Sequence, residues 1–213
     1  MDQKGILITF EGGDGAGKST LIQKVFAELQ SKQHPVIRTF APGATAIGQS
    51  IRELLLCPSA VPMSKRCELL LFLSDRAQHV DECILPALQQ GKVILCDRFN
   101  DSTMAYQSGA RGFDPSWVRE LCEFACNKVQ PDLTFYLDLD PVIGLTRVKK
   151  IGAGTDRIES ETLEFHQTIR QAFHRIAKLE PQRLIMLDAS QSPEHVFQQA
   201  IEKMHAFFPF TRQ

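Results

Sequence analysis

Five short apolar runs punctuate the chain, and between them apolar residues recur every three or four positions. Residues 5–10 (GILITF) are almost continuously apolar, which reads as a strand buried on both faces. HPVIRTF (34–40), KVILCDRF (92–99), LTFYLDLD (133–140) and RLIMLDAS (183–190) read as four more strands. From Gly17 onward Leu21, Ile22, Val25, Phe26 and Leu29 share one helical face. Residues 46–56 form a helix stopped near Pro58. Residues 64–91 form a long helix with Ser64 as its N-cap, Gly91 as its stop, and a break near Pro86. Asp114 and Pro115 open a helix over 114–129, and Pro141 opens another over 141–150. The pattern breaks at 151–160, and helices over 161–179 and 192–208 complete the chain.

Buried strands alternating with helices argue for a parallel sheet with helices on both faces. The expected class is α/β: one domain over 1–213 with a five-stranded parallel sheet. In such sheets ligands bind at the carboxyl ends of the strands. Glu11, Gly12, Phe40, Asp97, Arg98, Asp138, Asp140 and Asp188 stand at those ends and line one crevice.

Composition narrows the picture little. The 213 residues are 43% hydrophobic and 23% charged with a net charge of −1, so bulk charge selects neither nucleic acid nor an anionic membrane. Six scattered cysteines include no C-x-x-C pair and read as reduced, mostly buried thiols rather than metal ligands. No apolar run approaches the roughly 18 residues of a membrane span, so the expectation is a soluble, cytoplasmic protein without a membrane partner.

Ile8 to Thr20 (ITFEGGDGAGKST) changes the picture. Gly12, Gly13, Asp14, Gly15, Ala16, Gly17, Lys18 and Ser19 match the G-x-x-x-x-G-K-[ST] phosphate loop, with a strand before it and a helix after. Glycines let successive backbone N–H groups turn inward around phosphate, and the helix N-terminus adds positive potential. Lys18 is expected at the outer phosphates and Ser19 on Mg²⁺, with Thr20 completing the loop. A base-reading N-K-x-D is absent, since Asn127 to Gln130 reads NKVQ. No serine-glycine-glycine transporter signature appears. A small phosphate-loop protein with a separate basic segment fits phosphoryl transfer to a second small molecule.

EGGDGAGKST, FLSDRAQ, CDRFNDSTMAYQSGARG, PDLTFYLDLDP and GTDRIE occur in that order, and together they resemble the thymidylate kinase family over nearly the whole chain. The resemblance implies ATP-dependent phosphorylation of dTMP with Mg²⁺, and a homodimer. It places Asp14 near the acceptor sugar and the metal. Asp97 becomes an acid that holds Mg²⁺ through water or fixes Ser19. Arg98 stands between the two nucleotides, neutralising the group in flight. Phe72 and Arg76 share a helix face: the ring stacks on thymine and the guanidinium donates to a base carbonyl. On residues alone Phe72, within ELLLFL, reads as core; Asp75 reads as orienting an arginine or as solvated. Ser102, Thr103, Tyr106 and Gln107 occupy a short helix, with Thr103 and Gln107 toward the base edge and Tyr106 against the deoxyribose. Residues 149–159 resemble a mobile lid; Lys149, Lys150 and Arg157 within it, and Arg147 just before it, are the candidates to close over ATP. Because Ala16 leaves the phosphate loop without an arginine, transition-state charge is expected from the lid, above all from Arg157.

The match has departures. Phe40-Ala41-Pro42-Gly43-Ala44-Thr45 stands where many bacterial relatives read R-E-P-G-G-T, so Phe40 is expected to line the acceptor pocket in place of the arginine. Ser108 and Ala110 replace glycines of the usual Y-Q-G-G-G-R-G. The alternatives are a kinase for another pyrimidine deoxynucleotide, and an ATP-binding regulatory protein with a decayed acceptor pocket.

Overall fold

The computed structural model describes residues 5–57, 62–151 and 156–208. Strands β1 (Ile6–Gly12), β2 (Val36–Phe40), β3 (Val93–Asp97), β4 (Leu133–Asp138) and β5 (Leu184–Asp188) form one parallel sheet in the order β2-β3-β1-β4-β5. Central β1 pairs with β3 from Ile6–Val93 to Phe10–Asp97 and with β4 from Ile8–Leu133 to Gly12–Leu137. That register brings Gly12, Asp97 and Asp138 to one end of the sheet.

Strand alternation sorts β1 into two faces. Ile8 and Phe10 join Leu95, Phe135 and Leu137 in a core closed by α1 (Lys18–Ser31) and α9 (Pro193–Phe207). Leu7 packs on the other face with Val80, Ile84 and Ala87. Along that face the strand becomes polar: the Thr9 and Thr134 hydroxyls lie 2.7 Å apart at zero exposure, and Glu11 follows, also fully buried.

Between β2 and β3 run α2 (Ala46–Leu56), α3 (Lys65–His79) and α4 (Leu85–Gln89). The expected break near Pro86 is a π-helical turn over Val80–Ile84, in which the Leu85 N–H donates to the Val80 carbonyl. Proline has no N–H and its ring excludes a carbonyl one turn back, so widening the preceding turn keeps the helix running. After β3, α5 (Asn100–Thr103) opens into a second π-helical stretch, Met104–Ala110, and α6 (Pro115–Ala125) follows. The chain continues with α7 (Pro141–Ile151) and α8 (Leu163–Leu179). Lys149 and Lys150 close α7, as the helix expected over 141–150 has it. Of the expected lid over 149–159, residues 152–155 lie outside the described residues.

Candidate active site

The phosphate loop leaves the end of β1 with Gly12, Gly15 and Gly17 at φ of 143°, 71° and 95°, in the region that disfavours side chains. Gly15 also abuts Gly144 of α7, where a methyl on either residue would strike the other segment's backbone. Two helices therefore set the loop, α1 from behind and α7 from the side. Lys18 is buried and folds back to donate to the Gly12 and Gly13 carbonyls at 3.1 and 3.0 Å. Burial is the largest influence lowering its pKa, and the neighbouring Arg98 adds to it. Ser19 Oγ stands 3.5 Å from Asp97 Oδ2. Arg147 reaches from α7 to the Gly15 carbonyl at 3.2 Å. These groups border a wide open cleft that includes Asp14 to Ile22, Asp97, Arg98, Arg147 and Lys150.

A second, smaller cavity adjoins the cleft. Phe72, Arg76, Ser102, Thr103, Tyr106 and Gln107 line it, and Asp14 and Arg98 belong to both spaces. Seven sequence-predicted acceptor residues thus converge. Phe40 does not: it is 46% exposed and borders the open cleft. The chain bends immediately after it, with Ala41 N–H donating to the Asp97 carbonyl, so Ala41 and Pro42 form the wall assigned to Phe40. Asp75 does not meet solvent; the charges of Arg76 and Arg52 act on it, but it accepts its hydrogen bond from backbone. It is buried and accepts from the Gly43 N–H at 2.9 Å, pinning that bend.

Arg98 sits at the junction. Its φ is 68°, the left-handed region that a residue with a side chain occupies at a cost of order 1–3 kcal/mol. Nη2 donates to Asp14 Oδ1 at 2.8 Å, and Nη1 donates to Ser102 Oγ and Tyr106 Oη at 3.3 Å each. Glu11 holds the turn: Oε1 accepts from the Phe99 N–H and Oε2 from the Ser102 hydroxyl, both at 2.6 Å. Burial, then the Asp101 charge, raises the Glu11 pKa to about 7. Asp101 is itself clamped by Arg183 from the start of β5, at 2.8 Å to each oxygen. Burial opposes ionisation of Asp14, but Arg98, then Lys18, hold its pKa below the usual value.

Arg157 stands apart from the other predicted site residues. It borders neither cavity. Its Nε donates to the Leu55 carbonyl at 2.8 Å and its Nη2 pairs with Glu68 at 2.7 Å. The favoured lid cation is therefore drawn toward α2 and α3 by a buried carboxylate, away from the phosphate loop. Lys150 and Arg147 are the basic residues of this region that border the donor cleft.

Sequence reasoning gave Glu68, Gly144 and Arg52 no role, and it placed Glu11 in the crevice lining, whereas Glu11 is fully buried and borders neither space. Glu11 and Glu68 are lone acids beside apolar runs, a pattern that signals a buried brace. Gly144 interrupts a helix, which signals close approach. Arg52 of α2 borders both spaces and donates to the Pro42 carbonyl at 2.9 Å. It offers the acceptor side a cation beside the bend after β2.

A family model described as thymidylate kinase matches residues 10–200. The chain belongs to the thymidylate kinase family. A thymidylate kinase from Protochlamydia amoebophila is 47% identical over 206 residues, covering 93% of this chain and 92% of the relative. One from Lactobacillus acidophilus is 40% identical over 211 residues, covering 98% and 97%. The crystal structure of the thymidylate kinase from Ehrlichia chaffeensis superposes with a TM-score of 0.77 at 32% identity, covering 94% of this chain and 99% of that one. The five-stranded parallel fold expected of this family is the fold observed.

Proposed function

We propose that this chain is an ATP-dependent dTMP kinase that transfers the γ-phosphoryl group of ATP to the phosphate of dTMP, giving dTDP and ADP. The observation that carries this reading is Arg98. One guanidinium borders both the donor cleft and the acceptor cavity, tied to Asp14 on one side and to Ser102 and Tyr106 on the other. Phosphoryl transfer asks a protein mainly to align two substrates and neutralise charge between them. In this reading Gly12 to Thr20 and Arg147 hold ATP, and Lys18 turns from its own loop carbonyls to the outer phosphates. Phe72, Arg76, Thr103 and Gln107 hold the thymine, Tyr106 flanks the sugar, and Arg52, Arg98 and Ser102 face the acceptor phosphate.

Magnesium fits the donor set. Among the described residues no cluster of three or more His, Cys, Asp or Glu can hold a metal. Mg²⁺ with nucleotides commonly takes only one or two protein ligands, with phosphate and water completing the shell. Asp97 Oδ1 is buried without a hydrogen-bond partner, and Oδ2 faces Ser19. Ser19 and Asp97 would hold the ion; Asp14, paired with Arg98, would reach it only by loosening that pair. When bound, Mg²⁺ supplies charge neutralisation and alignment of the phosphates.

We further propose that the chain works as one domain whose segment 149–159 closes over ATP. A homodimer forms through α3 and α6, whose packed pair leaves Leu70 57% and Phe124 86% exposed. The cytoplasm suits six cysteines that form no disulfide. No helix among the described residues is long and apolar enough to cross a membrane.

The test is ADP release with ATP and Mg²⁺, offered dTMP, dUMP, dCMP, ribothymidine monophosphate and thymidine in turn. Release dependent on dTMP is expected. A folded protein that binds ATP and phosphorylates no acceptor would overturn the reading.

A further inference from the structure

Glu68 is 2% exposed on α3 and borders neither cavity. Four side-chain contacts converge on it. Oε1 accepts from Gln107 Nε2 at 3.1 Å and from Arg111 Nε at 2.9 Å. Oε2 accepts from Arg111 Nη2 at 3.0 Å and faces Arg157 Nη2 at 2.7 Å. Burial alone would raise its pKa, but Arg111 and then Arg157 outweigh burial and hold it below the usual range. An ionised carboxylate accepts hydrogen bonds and donates none.

That one-way chemistry orients Gln107. Only the nitrogen of a side-chain amide can face a carboxylate, and the carbonyl lies on the opposite edge of the same plane. Gln107 is 1% exposed and borders the acceptor cavity. With its nitrogen committed to Glu68, its carbonyl is the edge presented to the base. Thymine carries an N3–H donor. Cytosine has a bare acceptor nitrogen at that position. A carbonyl pairs with the first and repels the second; a turned amide would reverse the preference.

We propose that Glu68 is a positioning residue for base selection, fixing the Gln107 amide so that the acceptor cavity prefers thymine over cytosine. This rests on the reading above that Gln107 meets the acceptor base. It adds a residue outside the cavity to the specificity apparatus, and a physical reason for an acid inside the apolar run CELLLFL.

The experiment compares kcat/KM for dTMP and dCMP in Glu68→Gln, Gln107→Leu and the double variant. A glutamine at 68 both donates and accepts, so the 107 amide is free to turn. Glu68→Gln is expected to lower the dTMP-over-dCMP ratio about tenfold, the worth of one well-made hydrogen bond. The loss falls on the KM for dTMP more than on kcat, and the double variant loses no more than Gln107→Leu. Should Glu68→Gln not fold, Glu68→Asp carries the same expectation, because flexible arginines follow a shortened carboxylate and a helical glutamine does not. In the unaltered protein, the Gln107 side-chain NH₂ protons are expected to exchange slowly with solvent, with or without dTMP.

If Gln107→Leu leaves the ratio unchanged, Gln107 does not read the base and the proposal falls with that reading. If Gln107→Leu destroys the ratio while the Glu68 variants keep it, Gln107 reads the base unaided and the proposal alone is overturned. A drop in kcat equal for both acceptors, with the ratio intact, overturns it too, by assigning Glu68 to Arg157. Fast exchange of the Gln107 amide protons in the free protein overturns it without any variant.

Discussion

On the donor side of Arg98 lies a wide open cleft around a loop of four glycines; on the acceptor side lies a much smaller cavity walled by side chains. The donor site takes its shape from backbone. Gly12 to Ser19 are consecutive, and α1 and α7 need only press the loop into place. The acceptor site takes its shape from buried acids, and few of them border it. Glu11 holds the Arg98 turn, Asp75 the Gly43 bend, Glu68 the Gln107 amide and Asp101 the start of β5. A backbone cradle binds any polyphosphate of the right length. A cavity shaped by braced side chains can discriminate, because each brace removes an orientation that a wrong ligand would use.

The sharpest way to break this division is at the shared residue. Arg98→Ala is expected to lower kcat/KM roughly 100- to 1,000-fold, the loss seen when a charge-stabilising donor is removed. ADP-release kinetics measures it. Calorimetric titration is expected to show dTMP affinity falling with it, while ATP affinity stays within about threefold because Arg98 does not build the loop. An equal loss of ATP affinity would mean that the two halves are not separately made.

Glu11→Gln tests the bracing through pH. The Glu11 pKa rises from 4.5 to about 7 on folding, because burial and then Asp101 disfavour its charge. Between those values the native state holds a proton that the unfolded state has released. The stabilisation is full below pH 4.5 and is lost as pH rises through about 7, to the order of 3 kcal/mol across the window. His79 runs the opposite way. Burial and then Arg76 pull it down to about 3, so its stabilisation is present above 6.5 and lost as pH falls through 3. Both proteins carry His79, so it cancels in their difference. The stability of the unaltered protein minus that of Glu11→Gln, from urea unfolding, is expected to be larger at pH 5 than at pH 8. A flat or rising difference would show Glu11 already ionised, as a plain acceptor.

The same division explains what was legible in the sequence. Five apolar runs specified five strands, and a contiguous motif placed the phosphate loop, because both signals are local. The acceptor residues emerged only through several family motifs read together; composition alone would leave Phe72 in the core. Glu68 and Arg52 went unassigned, and Glu11 was placed in the crevice lining, because each acts through a partner between 10 and 91 positions away. Phe40 was misplaced because a bend after β2, rather than the strand residue itself, forms the cavity wall. Neither π-helical stretch follows from side-chain periodicity, which looks the same until one residue is added to a turn.

A smaller effect sharpens the donor half. Alanine normally improves a helix interior over glycine by about 0.5–1 kcal/mol. In Gly144→Ala, however, the methyl collides with the Asp14 carbonyl. The expected result is a rise of about tenfold in the KM for ATP, with the KM for dTMP within about twofold, because the loop shifts while Phe72, Arg76 and Gln107 stay put. Equal rises for both substrates would show that α7 supports the acceptor cavity as well.

The smallest expected effect decides between sequence and geometry at Arg157. If it supplies transition-state charge from a closing lid, Arg157→Ala lowers kcat by a large factor, roughly 100-fold or more. The structure instead ties it to Glu68 and the Leu55 carbonyl, on the acceptor side of the molecule. Glu68 keeps both bonds from Arg111 when Arg157 is removed, so the carboxylate stays paired and the Gln107 amide stays oriented. The expected outcome is a several-fold rise in the KM for dTMP, with kcat reduced less than about tenfold and little change in the KM for ATP. Single-turnover phosphoryl transfer at saturating substrates isolates the chemical step. A collapse of that step would return Arg157 to the donor side and make its bond to Glu68 a latch that lid closure must break.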